Sequence, residues 1–145
     1  MSRSITLTID VEADPSHVFE VVSTTDGQRG FWTTDCEVST EHARFGFAKA
    51  PVDLETDVHT EADTLVRMRV SSGFPFWEGS TWEWELAPAA QGSGTTVVFR
   101  HFGFAEGYPE ADLGRTAQSW AMITDRLDKY AVTGVAQPFF PEPGA

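Results

Sequence analysis

From Pro109 to Gly134 a single apolar stripe runs through Leu113, Ala117, Trp120, Thr124, Leu127 and Ala131 at spacings of three and four. That spacing predicts one long amphipathic helix. Pro109, Glu110 and Asp112 suit its first turn, where a proline forfeits no hydrogen bond and acids meet the positive end of the helix dipole. Arg126 and Lys129 suit its far end, and Gly134 can close it in a left-handed conformation. Roughly 22 residues at ~1.5 Å rise span ~33 Å, enough to cross a whole sheet. Such a helix needs a broad apolar partner surface, and the preceding residues supply strands.

Ile5, Leu7, Ile9 and Val11 alternate with Thr6, Thr8 and Asp10, the period of a half-buried strand. Asp14-Pro15 follows as a helix N-cap and first position, with Val18, Phe19, Val21 and Val22 forming a short apolar face. Asp26-Gly27 is expected to break this helix, and Gln28 to Trp32 to form one further short turn. From Cys36 to Phe104 the pattern is strand-like: Glu37-Val38, Phe45-Gly46-Phe47, Leu54 to His59, Leu65 to Val70, Thr81 to Leu86 and Thr95 to Phe102, with Gln91 to Gly94 as a hairpin loop. The order predicts an α+β helix-grip fold. A curved antiparallel sheet of about seven strands wraps around the long C-terminal helix, with two short helices after the first strand. Residues 1–137 form one domain, and the Pro-rich tail 138–145 is expected to be loose.

Two strands have clear faces. Trp82, Trp84 and Leu86 point inward opposite Glu83 and Glu85, which are expected in solvent; Val97, Phe99 and His101 share a face opposite Val98 and Arg100. The chain carries 11 Phe, 5 Trp and 2 Tyr in 145 residues. Rings in that number suit either a thick core or the walls of a cavity, and composition does not choose between them.

The net charge of −12 repels nucleic-acid phosphates and anionic membranes. Lys49 and Lys129 are the only lysines, and neither lies in an apolar stretch that would favour Schiff-base chemistry. Cys36 is the single cysteine and asparagine is absent, so there is neither an internal disulfide nor an N-glycosylation acceptor. No apolar run approaches the ~20 residues of a membrane span, and a cytoplasmic protein is expected.

The run Trp77-Glu78-Gly79-Ser80-Thr81-Trp82-Glu83-Trp84-Glu85-Leu86 resembles the "W-x-G-T-x-I-x-W/F-x-L" strand of START-like (SRPBCC, birch-pollen-allergen-like) proteins, in the branch of the activator of the heat-shock-protein-90 ATPase. Gly94 to Phe104 resembles the next strand of that branch. Trp120, Leu127 and Gly134 resemble its closing helix, and Ala13 to Phe19 with Asp26 to Trp32 its first helices. Many bacterial relatives carry a cysteine before the helix tryptophan; Ala111 to Ser119 has none. The resemblance implies a helix-grip fold with a cavity for lipids, sterols, polyketides or other apolar molecules. It does not imply one activity.

The expected ligand is therefore an apolar or amphipathic small molecule held between sheet and helix. Its wall is expected from Phe47, Met68, Trp82, Trp84 and Phe99 with Trp120 and Ile123, and Phe31, Trp32, Phe74, Phe76 and Trp77 are placed at the mouth. The same rings could instead fill the space themselves. His101 could orient a ligand, act as an acid or base, or be a buried imidazole satisfied by its neighbours. Glu78 and Asp35 are minor candidates for the mouth. Asp53, Glu55 and Asp57 alternate on one face, which suits an unpaired, solvated strand better than a calcium loop. No cofactor, metal or catalytic set is assigned, and Cys36 is read as an inert thiol. Two further readings stay open, a START-like enzyme of cyclase, aromatase or hydrolase type and a protein-interaction module. A homodimer is compatible with all three.

Overall fold

The computed structural model describes residues 3–47, 50–90 and 92–141. Strand β1 (Ser4–Val11) is followed by helices α1 (Pro15–Ser23) and α2 (Thr25–Phe31). Six strands follow, β2 (Cys36–Val38), β3 (His42–Phe45), β4 (Leu54–Glu61), β5 (Leu65–Ser72), β6 (Thr81–Pro88) and β7 (Thr95–Phe102), and then helix α3 (Glu110–Thr133). All seven strands join one curved antiparallel sheet in the order β1-β7-β6-β5-β4-β3-β2. Hairpins explain β2 to β7. The first strand returns to the opposite side and pairs with the last, setting Ile5 against His101, Leu7 against Phe99 and Ile9 against Val97.

This register lines up the inward side chains in rows across the sheet. One row runs Ile5, His101, Trp82, Met68, Val58, and the next Leu7, Phe99, Trp84, Val66. Helix α3 lies on these rows and buries Trp120, Ile123, Thr124, Leu127 and Ala131. It ends where Gly134 turns left-handed (φ 73°) and donates its N–H to the Tyr130 carbonyl. At the start of α1 the Asp14 carboxylate accepts the His17 amide at 2.9 Å.

Helix α2 starts three residues earlier than the sequence suggests. The Thr24 hydroxyl accepts the Gly27 amide at 3.1 Å, so Asp26-Gly27 opens this helix instead of merely ending the one before. Glycine is required there by proximity. A Cβ on Gly27 would sit 2.0 Å from the Val21 carbonyl oxygen.

Three surface expectations change. Glu83 is 6% exposed, because the register places it between Arg67 and Arg100. They reach its two oxygens at 3.0 and 3.3 Å. Alternation correctly put Glu83 opposite the tryptophans but could not show its cross-strand neighbours; Glu85 is exposed as expected. Strand β4 is paired on both sides, so its acids do not mark an unpaired strand. Asp53 instead meets Arg44 at 3.3 Å and Glu55 meets His42 at 3.3 Å. The described part of the tail is docked. Phe139 and Phe140 donate their amides to the Phe31 and Trp32 carbonyls at 3.1 and 2.7 Å, and Thr34 donates to the Phe140 carbonyl at 3.2 Å. Arg126 holds the Gln137 carbonyl at 2.7 Å and lies over the Phe139 ring. Residues 142–145, and Gln91 of the hairpin loop, lie outside the described residues. Among the described residues no helix is long and apolar enough to cross a membrane.

Two glycine substitutions should move stability in opposite directions. Gly27→Ala, pressed against backbone, should cost about 1–3 kcal/mol as an overpacking change. At exposed Gly114 in α3 a Cβ meets nothing within 4 Å, and Gly114→Ala should add about 1 kcal/mol through helix propensity. Urea denaturation of the two variants checks both signs.

Candidate functional site

On the N-terminal half of α3, Arg115, Thr116, Ser119, Trp120 and Ile123 fall on one face. With Trp32 at the end of α2, Phe47 and Ala50 after β3, Phe74 and Trp77 before β6, and Phe140 of the tail, they line an apolar cleft of ≈ 310 Å³. That volume is at the small end of ordinary ligand pockets. Five of its rings form a closed circuit. Centroid distances run 5.5 Å from Trp32 to Phe47, 5.7 Å to Phe74, 5.3 Å to Trp77, 6.4 Å to Trp120 and 5.2 Å back to Trp32. Phe140 packs on Phe47 at 4.9 Å. Trp82 packs against three of these rings, 5.5 Å from Trp32, 5.5 Å from Trp120 and 6.3 Å from Trp77.

Local backbone explains how the loop rings get there. The segment between β5 and β6 has positive φ at Phe76 (71°) and Gly79 (84°), turning Phe74 and Trp77 inward. Phe76 itself points away and stacks on Tyr108 at 5.4 Å. Trp77 Nε1 donates to the Tyr108 hydroxyl at 3.1 Å, and that hydroxyl pairs with Thr116 Oγ1 at 2.8 Å. One polar chain thus ties the loop to α3.

Of the residues picked from sequence, the fold brings Trp32, Phe47, Phe74, Trp77, Trp120 and Ile123 to the cleft. Phe31, Met68, Trp82, Trp84, Phe99 and His101 are at most 1% exposed and do not line it. The expected sheet wall is packed shut. Phe99 sits 4.4 Å from Trp120 and 4.6 Å from Trp84, and Trp84 sits 5.9 Å from Phe31. Side chains of this size from facing layers meet before a void can form. Phe76 is exposed, and Glu78 and Asp35 lie outside the lining, Asp35 paired with Arg44 at 2.9 Å.

His101 spends both ring nitrogens on the protein. The Trp120 indole N–H, which can only donate, reaches Nδ1 at 3.1 Å. The proton therefore sits on Nε2, which donates to the Ser80 hydroxyl at 2.9 Å. Burial pushes its pKa down to about 3, so the ring stays neutral. The imidazole fastens helix to sheet and is not presented to a ligand. Cys36 is also buried, and loss of hydration lifts its thiol to about 11 although Arg29 lies beside it and opposes the rise. Among the described residues no group of three acidic, His or Cys side chains is placed to hold a metal ion.

Sequence reasoning missed Arg115, Thr116, Ser119, Phe140 and Ala50. The first three were accessible in principle, because they share a helical face with Trp120. Phe140 was not, since composition alone made the tail look loose.

No protein-family model and no curated protein matches the sequence. Solved structures do resemble the fold. The solution structure of the Aha1 dimer from Colwellia psychrerythraea superposes with a TM-score of 0.76 at 20% identity, covering 91% of this chain and 98% of that one. The protein SSP2350 from Staphylococcus saprophyticus gives 0.74 at 17% identity, over 96% and 98% of the two chains. The chain has a START-like helix-grip fold. DynU16, from the dynemicin biosynthetic locus, extends this to a longer protein, with a TM-score of 0.73 at 18% identity over 96% of this chain and 51% of that one. In this chain the interlayer of the fold is filled by its own rings, and the cleft lies beside the N-terminal half of the helix.

The neutral imidazole makes stability depend on pH. The unfolded chain protonates His101 near its ordinary pKa of 6.5, whereas the folded chain resists down to about 3. Stability from this residue is therefore complete above pH 6.5 and falls as pH drops toward 3. The loss should be on the order of 1–2 kcal/mol between pH 6.5 and about pH 5. Subtracting the urea-unfolding profile of His101→Gln from that of the wild type isolates the slope. Parallel profiles would refute the assignment.

Proposed function

We propose that the chain binds an apolar or amphipathic small molecule, as a carrier or sensor, in the cleft at the N-terminal half of α3. The supporting observation is the circuit of five aromatic rings around free volume, with few polar groups among its lining. Covering ~200 Å² of ligand apolar surface would contribute ~5 kcal/mol before association costs, so useful affinity requires close fit or a polar contact. A cytoplasmic setting is part of the same proposal.

The filled interlayer favours one second reading, a protein-interaction module in which these rings are only core. A second copy of the chain is the macromolecular partner we carry forward. The dimer formed by the Colwellia protein supports it, and light scattering coupled to gel filtration would give twice the chain mass.

Native mass spectrometry of freshly purified protein should reveal a co-purifying small molecule. Ser119→Trp, which projects a ring into the cleft, should abolish that species while leaving thermal unfolding within a few degrees of wild type. A bare wild-type mass, together with tryptophan emission indifferent to apolar probes, would favour the interaction module.

A further inference from the structure

Resting on the cleft as a ligand site, we propose that its ligand carries an anionic head, a carboxylate, seated between Arg115 and Ser119 while its apolar part lies among the rings. Among the described residues Arg115 is the one charged residue lining the cleft, in a chain whose net charge is −12. Bulk electrostatics alone would favour a cation. A guanidinium at the open edge of the cleft reverses that preference locally, because an ammonium head entering beside it would meet like charge, an effect that solvent screens in part at this exposed side chain.

The geometry supports a carboxylate in particular. Arg115 and Ser119 are one turn apart on α3, so their side chains are neighbours on the face that meets the cleft. The Arg115 guanidinium, which has five donors, gives one to Asp112 at 3.1 Å. That leaves a fork free to take a carboxylate in two parallel bonds. Among the described residues the Ser119 hydroxyl makes no side-chain hydrogen bond to the protein, in contrast to Thr116, which is engaged by Tyr108. The cleft therefore offers two adjoining donor groups at the edge of a patch that is otherwise rings and aliphatic carbon. The fit is to an amphipathic carboxylate, its polar end toward the start of α3.

Decanoate and decan-1-ol, titrated calorimetrically at about pH 7.5 where the acid is ionised, separate head recognition from apolar burial. Arg115→Gln should weaken decanoate about tenfold, the scale of a charge-assisted contact at a partly exposed site, and leave decan-1-ol unchanged. Arg115→Lys should recover part of the loss. Asp112→Asn, which releases the guanidinium from its competitor, should tighten decanoate about twofold. Ser119→Ala should weaken decanoate about threefold. The melting temperature of Arg115→Gln should match wild type, since the ion pair it removes is exposed. Equal responses of decanoate and decan-1-ol to Arg115→Gln would overturn the head-group assignment while leaving the cleft as a binding site. Failure of both probes to bind wild-type protein would overturn the two together.

Discussion

The contact between Trp120 and the inner face of the sheet governs the architecture. Its ring lies against Phe99, Trp82 and Trp32, and its indole N–H is spent on His101. The first is a non-directional gain from burying large apolar area. The second is directional and fixes which way the indole faces, since a buried N–H without an acceptor is costly. Together they set the rotation of α3 about its axis. That rotation sends Arg115, Thr116 and Ser119 toward the cleft and Thr124, Leu127 and Ala131 toward the sheet and the short helices.

The size of the interlayer side chains then decides where a ligand can fit. Helix-grip folds hold their terminal helix against a curved sheet, and small residues there would leave space. Here Phe31, Trp82, Trp84, Phe99, Met68 and His101 occupy it. The cleft lies where the rows of inward residues end and loops take over the wall. Those loops are held by specific devices. A polar chain from Trp77 through Tyr108 to Thr116 fixes one side, and the backbone bonds of Phe139 and Phe140 to α2 and its C-cap fix the other. The cleft is thus a consequence of a dense core, not an interruption of it.

The outer surface follows similar logic. Glu83 lies under two arginines because β5, β6 and β7 are adjacent and in register, and each of its oxygens finds a guanidinium. Burying a carboxylate is tolerable when both its oxygens are satisfied. The central sheet therefore carries a polar clamp on one face and a ring-filled core on the other.

Several features were legible in the residues alone. The three- and four-residue spacing of the Trp120 stripe dictated the long helix, strict alternation dictated strands and their inward faces, and Asp14-Pro15 marked the first helix. All are local: period and capping depend on neighbours a few residues away. Tertiary structure decided the rest. Pairing of β1 with β7, the burial of Glu83, the occupation of both His101 nitrogens and the docking of Phe140 each join residues separated by more than a dozen positions. Whether two facing rings leave a gap or touch depends on the separation of the layers that carry them. That distance is set by every side chain between the layers at once, so no single stretch of sequence encodes it.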